Sequence, residues 1–152
     1  MGTHGLKNCI EFNSNFTIAG NWPQDTLYIQ MEAPAVYMTY EFTKSFTFNA
    51  KTRLAENYHS NSLPIILSTA DHQHALGAYV PVGQDTDRRV VYDHHYFSLG
   101  SFDDTTAKFN AVFYKRPHGT GIHHYIYRTY LCVGTLNMVT SCLHEIMTLV
   151  PR

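Results

Sequence analysis

Charge is scarce in this sequence. Only 15% of its 152 residues are Asp, Glu, Lys or Arg, and the formal net charge is −1. The lysines and arginines are scattered rather than banked on one stretch, so neither nucleic acid nor an anionic membrane surface is an expected partner. No apolar run approaches the roughly 18 residues needed to span a bilayer. The segment Met1 to Ile10 lacks the apolar centre of a signal peptide, so the chain reads as soluble. Cysteine is scarce too: Cys9, Cys132 and Cys142 are too few and too irregularly spaced for a disulfide scaffold or a CxxC zinc site. They read as buried thiols, with a pairing through Cys9 as the alternative.

Several catalytic signatures are missing. There is no Gly-x-Ser-x-Gly elbow and no glycine-rich phosphate loop of the GxGxxG or GxxxxGK kind. Ser68 and Thr69 stand near Asp71 and His72, but groups so close along the chain do not read as a nucleophile, base and orienter. Asp103-Asp104, beside Thr105-Thr106, reads as a solvated turn. Asn15-Phe16-Thr17 matches the N-glycosylation sequon, which matters only in a secreted protein and does not fix a compartment.

What the chain has in quantity is β-forming residues. Tyrosine and phenylalanine number 11 and 9, and the sequence is 44% hydrophobic; with Thr and Val abundant and Glu, Lys and Ala sparse, it reads as mostly strand. The segment 63–81 organises the rest: Ile65, Ile66 and Leu67 enter a polar tip, Ser68 to His74, and Ala75 to Val80 leave it, with prolines at 64 and 81 closing the ends. This is a hairpin whose tip carries Asp71, His72 and His74. Leu6 to Phe12 and Phe16 to Ala19 are expected as two short strands separated by a turn at Asn13-Ser14-Asn15. Trp22 falls in a loop, as a lid over the core or as an exposed stacking surface. Ala107 to Lys115 and Ile122 to Val133 are expected to pair as a long hairpin through Arg116 to Gly121. Leu136, Val139, Leu143, Ile146 and Met147 recur at helical spacing behind Thr135, a natural N-cap. The expected fold is a single domain over 1–148, a mainly antiparallel, jelly-roll-like β-sandwich of nine or ten strands with one C-terminal α-helix. Leu149-Val150-Pro151-Arg152 resembles a thrombin recognition sequence and reads as a protease-site scar, which would make the chain a domain excised from something larger.

Ten histidines are many for this length, and they cluster as His72 and His74, His94 and His95, then His118, His123 and His124. Residues i and i+2 on a strand share a face, so His72 and His74 with one of His94 or His95, and Asp71 or Asp93, form a candidate site for one divalent transition metal. Metal enzymes of the histidine-rich jelly-roll kind place a Glu soon after His-x-His, and the stretch from Ala75 to Val82 has no acid. Three functions follow. The first is a non-catalytic carbohydrate-binding or accessory domain that needs no cofactor: Trp22 and Tyr79 would offer ring faces, and Asp71, His72, His74 and Arg128 would hydrogen-bond sugar hydroxyls. The second is a metal-dependent enzyme on the histidine cluster. The third is a structural module whose exposed edge or helix face binds other parts of a larger chain.

Overall fold

The apolar runs either side of the polar tip pair as their pattern predicts, with Ile65 opposite Ala78 and Ser68 opposite Ala75. The computed structural model describes residues 2–23, 28–49, 51, 54–57, 64–81, 83–84, 86, 91–98 and 105–150, with only the backbone path at 54–57, 91–98 and 105–106. Among the described residues, nine strands precede one helix: β1 (Cys9–Trp22), β2 (Ile29–Met38), β3 (Lys44–Asn49), β4 (Leu54–Asn57), β5 (Ile65–Ser68), β6 (Ala75–Tyr79), β7 (Val91–Ser98), β8 (Thr105–Lys115), β9 (Gly119–Gly134) and α1 (Leu136–Leu149). The pairings are antiparallel and make two sheets, a six-stranded one in the order β1-β9-β6-β5-β3-β4 and a three-stranded one in the order β2-β8-β7. The mainly β, sandwich-like architecture with a C-terminal helix is therefore present. Among the described residues the sheets divide six and three, and the two four-stranded sheets of a jelly roll are not seen.

The six-stranded sheet is a middle layer. On one face Ile65, Leu67, Ala78, Tyr125 and Tyr127 pack against Ala107, Phe109, Ala111 and Phe113 of β8. On the other, Ile66, Tyr79, Tyr130 and Cys132 pack against Val139, Cys142, Leu143 and Ile146 of α1. Burial on both faces explains why Ile65-Ile66-Leu67 is continuously apolar instead of alternating. Thr135 caps α1, its hydroxyl accepting from the Met138 amide at 3.3 Å. Gly77 sets how closely the helix approaches: a Cβ there would lie 2.6 Å from Val139 Cγ1 and 2.9 Å from Leu143 Cδ1. Among the described residues, no helix is long and apolar enough to cross a membrane.

Three expectations are corrected. The two short strands at 6–19 are one continuous strand, β1, paired residue for residue with β9 from Cys9–Cys132 to Trp22–Gly119. A long partner overrides the turn preference of Asn13-Ser14-Asn15, and Asn13 keeps its amide satisfied locally by donating to Glu11 Oε1 at 3.0 Å. Trp22 thus ends a strand instead of lying in a loop. Second, β8 and β9 are not a hairpin, because they belong to different sheets. Arg116-Pro117-His118 carries the chain between layers, so their apolar sides meet across the core, with Phe113 and Tyr127 ring centroids 4.1 Å apart. Third, the cysteines are not all thiols: Cys132 and Cys142 form a disulfide across the strand-to-helix turn, and Cys9 is the free, buried one.

At the C-terminal end, Leu149 closes the helix and Val150 is its C-cap, the Val150 amide donating to the Ile146 carbonyl at 2.8 Å. The Val150 carbonyl accepts from the Tyr79 hydroxyl at 2.7 Å. Both residues are therefore built into the fold, while Pro151 and Arg152 lie outside the described residues.

Candidate functional site

One carboxylate oxygen of Asp71 and the backbone of His72 build the turn that presents them. The Thr69 amide donates to the His74 carbonyl at 2.9 Å, and the His72 amide to the Thr69 carbonyl at 3.1 Å. The Thr69 hydroxyl donates to Asp71 Oδ1 at 2.6 Å, and the Gln73 amide donates to the same oxygen at 3.1 Å. These donors, Thr69 first and Gln73 second, hold the Asp71 carboxyl below the usual aspartate range. His72 adopts a left-handed φ of 61° and sets its ring edge-on to Phe46 at 5.7 Å. Its carbonyl accepts from the Leu136 amide at 3.0 Å, so the turn also anchors the start of α1. His74 is exposed and borders an open, largely apolar groove of about 410 Å³ with Met38, Phe42, Leu76 and Met138.

The other expected site residues are far from this turn or hidden. Ala75, next to the turn, pairs with Gly134 at one end of β9, whereas Trp22 pairs with Gly119 at the other. At about 3.3 Å per residue, the two lie roughly 45–50 Å apart along the strand. Tyr79 is 0% exposed, stacked near Tyr130 with its hydroxyl spent on Val150. Arg128 is exposed in mid-strand, its Nε 3.1 Å from Glu11 Oε1 and its backbone amide donating to Gln84 Oε1 at 2.8 Å. By alternation along β9, Arg128 projects to the same side as Tyr130 and Tyr79, but Tyr79 is buried and Trp22 lies at the far end of the strand, so the ring platforms and hydrogen-bonding groups of the glycan reading do not meet on one exposed surface.

The histidine set fares similarly. His72 and His74 belong to a turn, and β6 begins only at Ala75, so the alternation that would aim both rings one way does not apply. The β7 backbone places His94 opposite Phe109 and His95 opposite Lys108; their side chains, like that of Asp93, lie outside the described residues. Among the described residues, the group of three potential ligands that does converge is Cys9, Cys132 and Cys142, with sulfurs within 4.8 Å of one another. His118, His123 and His124 line an open groove of about 550 Å³ at the far end of β9, where His124 Nδ1 hydrogen-bonds Thr17 Oγ1 at 2.9 Å.

The feature that sequence reading missed is the outer edge of β1. The Val133 amide donates to the Asn8 carbonyl at 3.0 Å, flanking the Cys9–Cys132 pair, which marks that pair as non-hydrogen-bonded. By alternation, the backbone N–H and C=O groups of Cys9, Glu11, Asn13, Asn15, Thr17, Ala19 and Asn21 point away from β9. Those of Cys9 are taken by the Leu6 carbonyl and the Thr3 amide. From Glu11 to Asn21, no described residue meets them. Sheet edges are ordinarily protected by lysine, proline, a bulge or inward charge. From Cys9 to Trp22 there is no Lys, Arg or Pro, the register has no shift, and Glu11 is the sole charged residue. The face turned toward the second sheet carries Ile10, Phe12, Phe16 and Ile18; the first two remain 37% and 39% exposed because β1 overhangs the narrower sheet. The signal was present, since the apolar alternation runs on through Ser14.

Comparison with family models, curated proteins and solved structures found no match to this chain.

Proposed function

We propose that the chain is a non-catalytic structural module that assembles by strand addition at β1, with a second copy of itself as the partner. The observation that carries this is the unprotected edge from Glu11 to Asn21, a row of outward backbone donors and acceptors flanked by a half-covered apolar stripe.

The edge is self-complementary. Antiparallel pairing of two β1 strands about a two-fold axis joins outward groups to outward groups. The register that uses the whole row sets Glu11 opposite Asn21 of the second copy and Asn15 opposite Thr17, so no like charges face each other. On the apolar side, the same register places Ile10 opposite Trp22 and Phe16 opposite Phe16. The two six-stranded sheets become one continuous sheet, and a net charge of −1 per chain offers little long-range repulsion.

Sedimentation velocity over a wide concentration range tests the reading, with Asn15→Pro as the control. Proline at an outward position removes a donor from the free edge and no hydrogen bond to β9. The wild type should move from monomer to dimer while the variant stays monomeric with an unchanged circular dichroism spectrum. A wild type that is monomeric at every concentration overturns the proposal. Carbohydrate recognition draws less support, because Trp22, Tyr79, Arg128 and the 69–74 turn are separated or buried as described.

A further inference from the structure

The three cysteines meet where β1, β9 and α1 come together, all buried. Cys132 is the hub. It is bonded to Cys142 with Cα atoms 6.0 Å apart, and it faces Cys9 in a non-hydrogen-bonded cross-strand pair, where Cα atoms stand about 4.5 Å apart and side chains are closest. Both separations lie in the range that a disulfide bridges. One sulfur therefore has two alternative partners within reach.

Both partners are buried, Cys9 at 0% and Cys142 at 2% exposure, but what lies over them differs. Cys9 is sealed under the N-terminal turn. Cys142 lines an open groove of about 320 Å³ with Asn8, Asn137, Met138, Ser141 and Glu145.

We propose that Cys9, Cys132 and Cys142 form an exchange-active unit in which the bond held by Cys132 moves between Cys142 and Cys9, making Cys142 a site of mixed-disulfide formation with small disulfides. In the first step Cys9 loses its proton and its sulfur attacks Cys132 Sγ. The Cys9–Cys132 bond forms, the Cys132–Cys142 bond breaks, and Cys142 leaves as a thiolate; the proton from Cys9 is released and ends on the thiol that departs in the second step. No oxidant or reductant is consumed. In the second step the Cys142 thiolate attacks one sulfur of a low-molecular-weight disulfide and is joined to it, while the other half departs as a thiol. The covalent tie between β9 and α1 is lost, and one between β1 and β9 replaces it.

The exchange depends on pH. Burial first, and the Glu11 carboxylate second, push the Cys9 thiol up to about 11. The other titratable or charged groups around the cluster are Arg128 and Tyr130 on β9, His4 on the N-terminal turn and Glu145 on α1; Arg128 and His4 both pair with Glu11. Below that value the reactive thiolate, and with it the rate, rises about tenfold per pH unit.

The test incubates the native protein with oxidised glutathione at several alkaline pH values, quenches in acid, digests without reduction and maps the peptides by mass spectrometry. A Cys9–Cys132 peptide together with glutathione on Cys142, both accumulating faster as pH rises, is the expected result, and Cys9→Ser should abolish both. A wild-type map showing only Cys132–Cys142 and free Cys9 at every pH overturns the proposal without recourse to any variant. Equal glutathione on Cys142 in Cys9→Ser also overturns it.

Discussion

The Thr129 hydroxyl donates to the Ala33 carbonyl at 2.8 Å, linking the six-stranded sheet to the three-stranded one at a point where both residues are buried. Ala33 sits where β2 changes register between Glu32 and Ala35, so its carbonyl has left the ladder with β8. Replacing Thr129 with Val keeps the shape and removes the donor. The orphaned carbonyl should cost about 1–3 kcal/mol, a fall in Tm of several degrees for a chain of this size. Thermal unfolding followed by circular dichroism measures it, and an unchanged Tm would show that this bond does not hold the layers together.

Gly77 governs the other interface. A methyl group there would meet Val139 Cγ1 and Leu143 Cδ1 closer than 3.0 Å, so Gly77→Ala must displace these side chains or the helix that carries them. Overpacking of this kind costs about 1–3 kcal/mol. A urea midpoint equal to that of the wild type would mean that the helix is not seated on β6 in this way.

The 69–74 turn should loosen in acid. Asp71 is exposed, and its pKa is lowered by the Thr69 hydroxyl and then by the Gln73 amide. A depressed folded-state pKa means that this contribution is complete above the ordinary aspartate range and is lost as pH falls through the lowered value. Amide chemical shifts of Gln73 and His74 should follow that single titration, and Thr69→Val should move it back up. Shifts that ignore pH, or a titration unaffected by Thr69→Val, would contradict the assignment.

Much of the fold was legible because burial imposes periodicity. The β5–β6 hairpin, the capped helix after Thr135 and the apolar alternation of β8 all follow from which residues must face a core. The failures arose where partners distant in the chain decide. Asn13-Ser14-Asn15 reads as a turn until β9 lies alongside, and β8 and β9 look like a hairpin until Phe113 and Tyr127 are seen facing across the core. The candidate site was less legible still. Asp71 and His72 look reactive in sequence, and the structure adds a turn-building role, through Asp71 Oδ1 and the His72 backbone, that residue type alone does not show. The β1 edge consists of backbone groups, which carry no residue-type signal, and the cysteine cluster needs three elements to converge.

The self-pairing of β1 is tested most directly by amide hydrogen exchange at Asn13, Asn15 and Thr17 as a function of protein concentration. These N–H groups point away from β9 and meet no described residue in the single chain, so they should exchange rapidly in dilute protein and become protected as concentration rises, while the amides of Phe12, Ser14 and Phe16, bonded to β9, stay protected throughout. Rapid exchange at Asn13, Asn15 and Thr17 at every concentration would contradict the account.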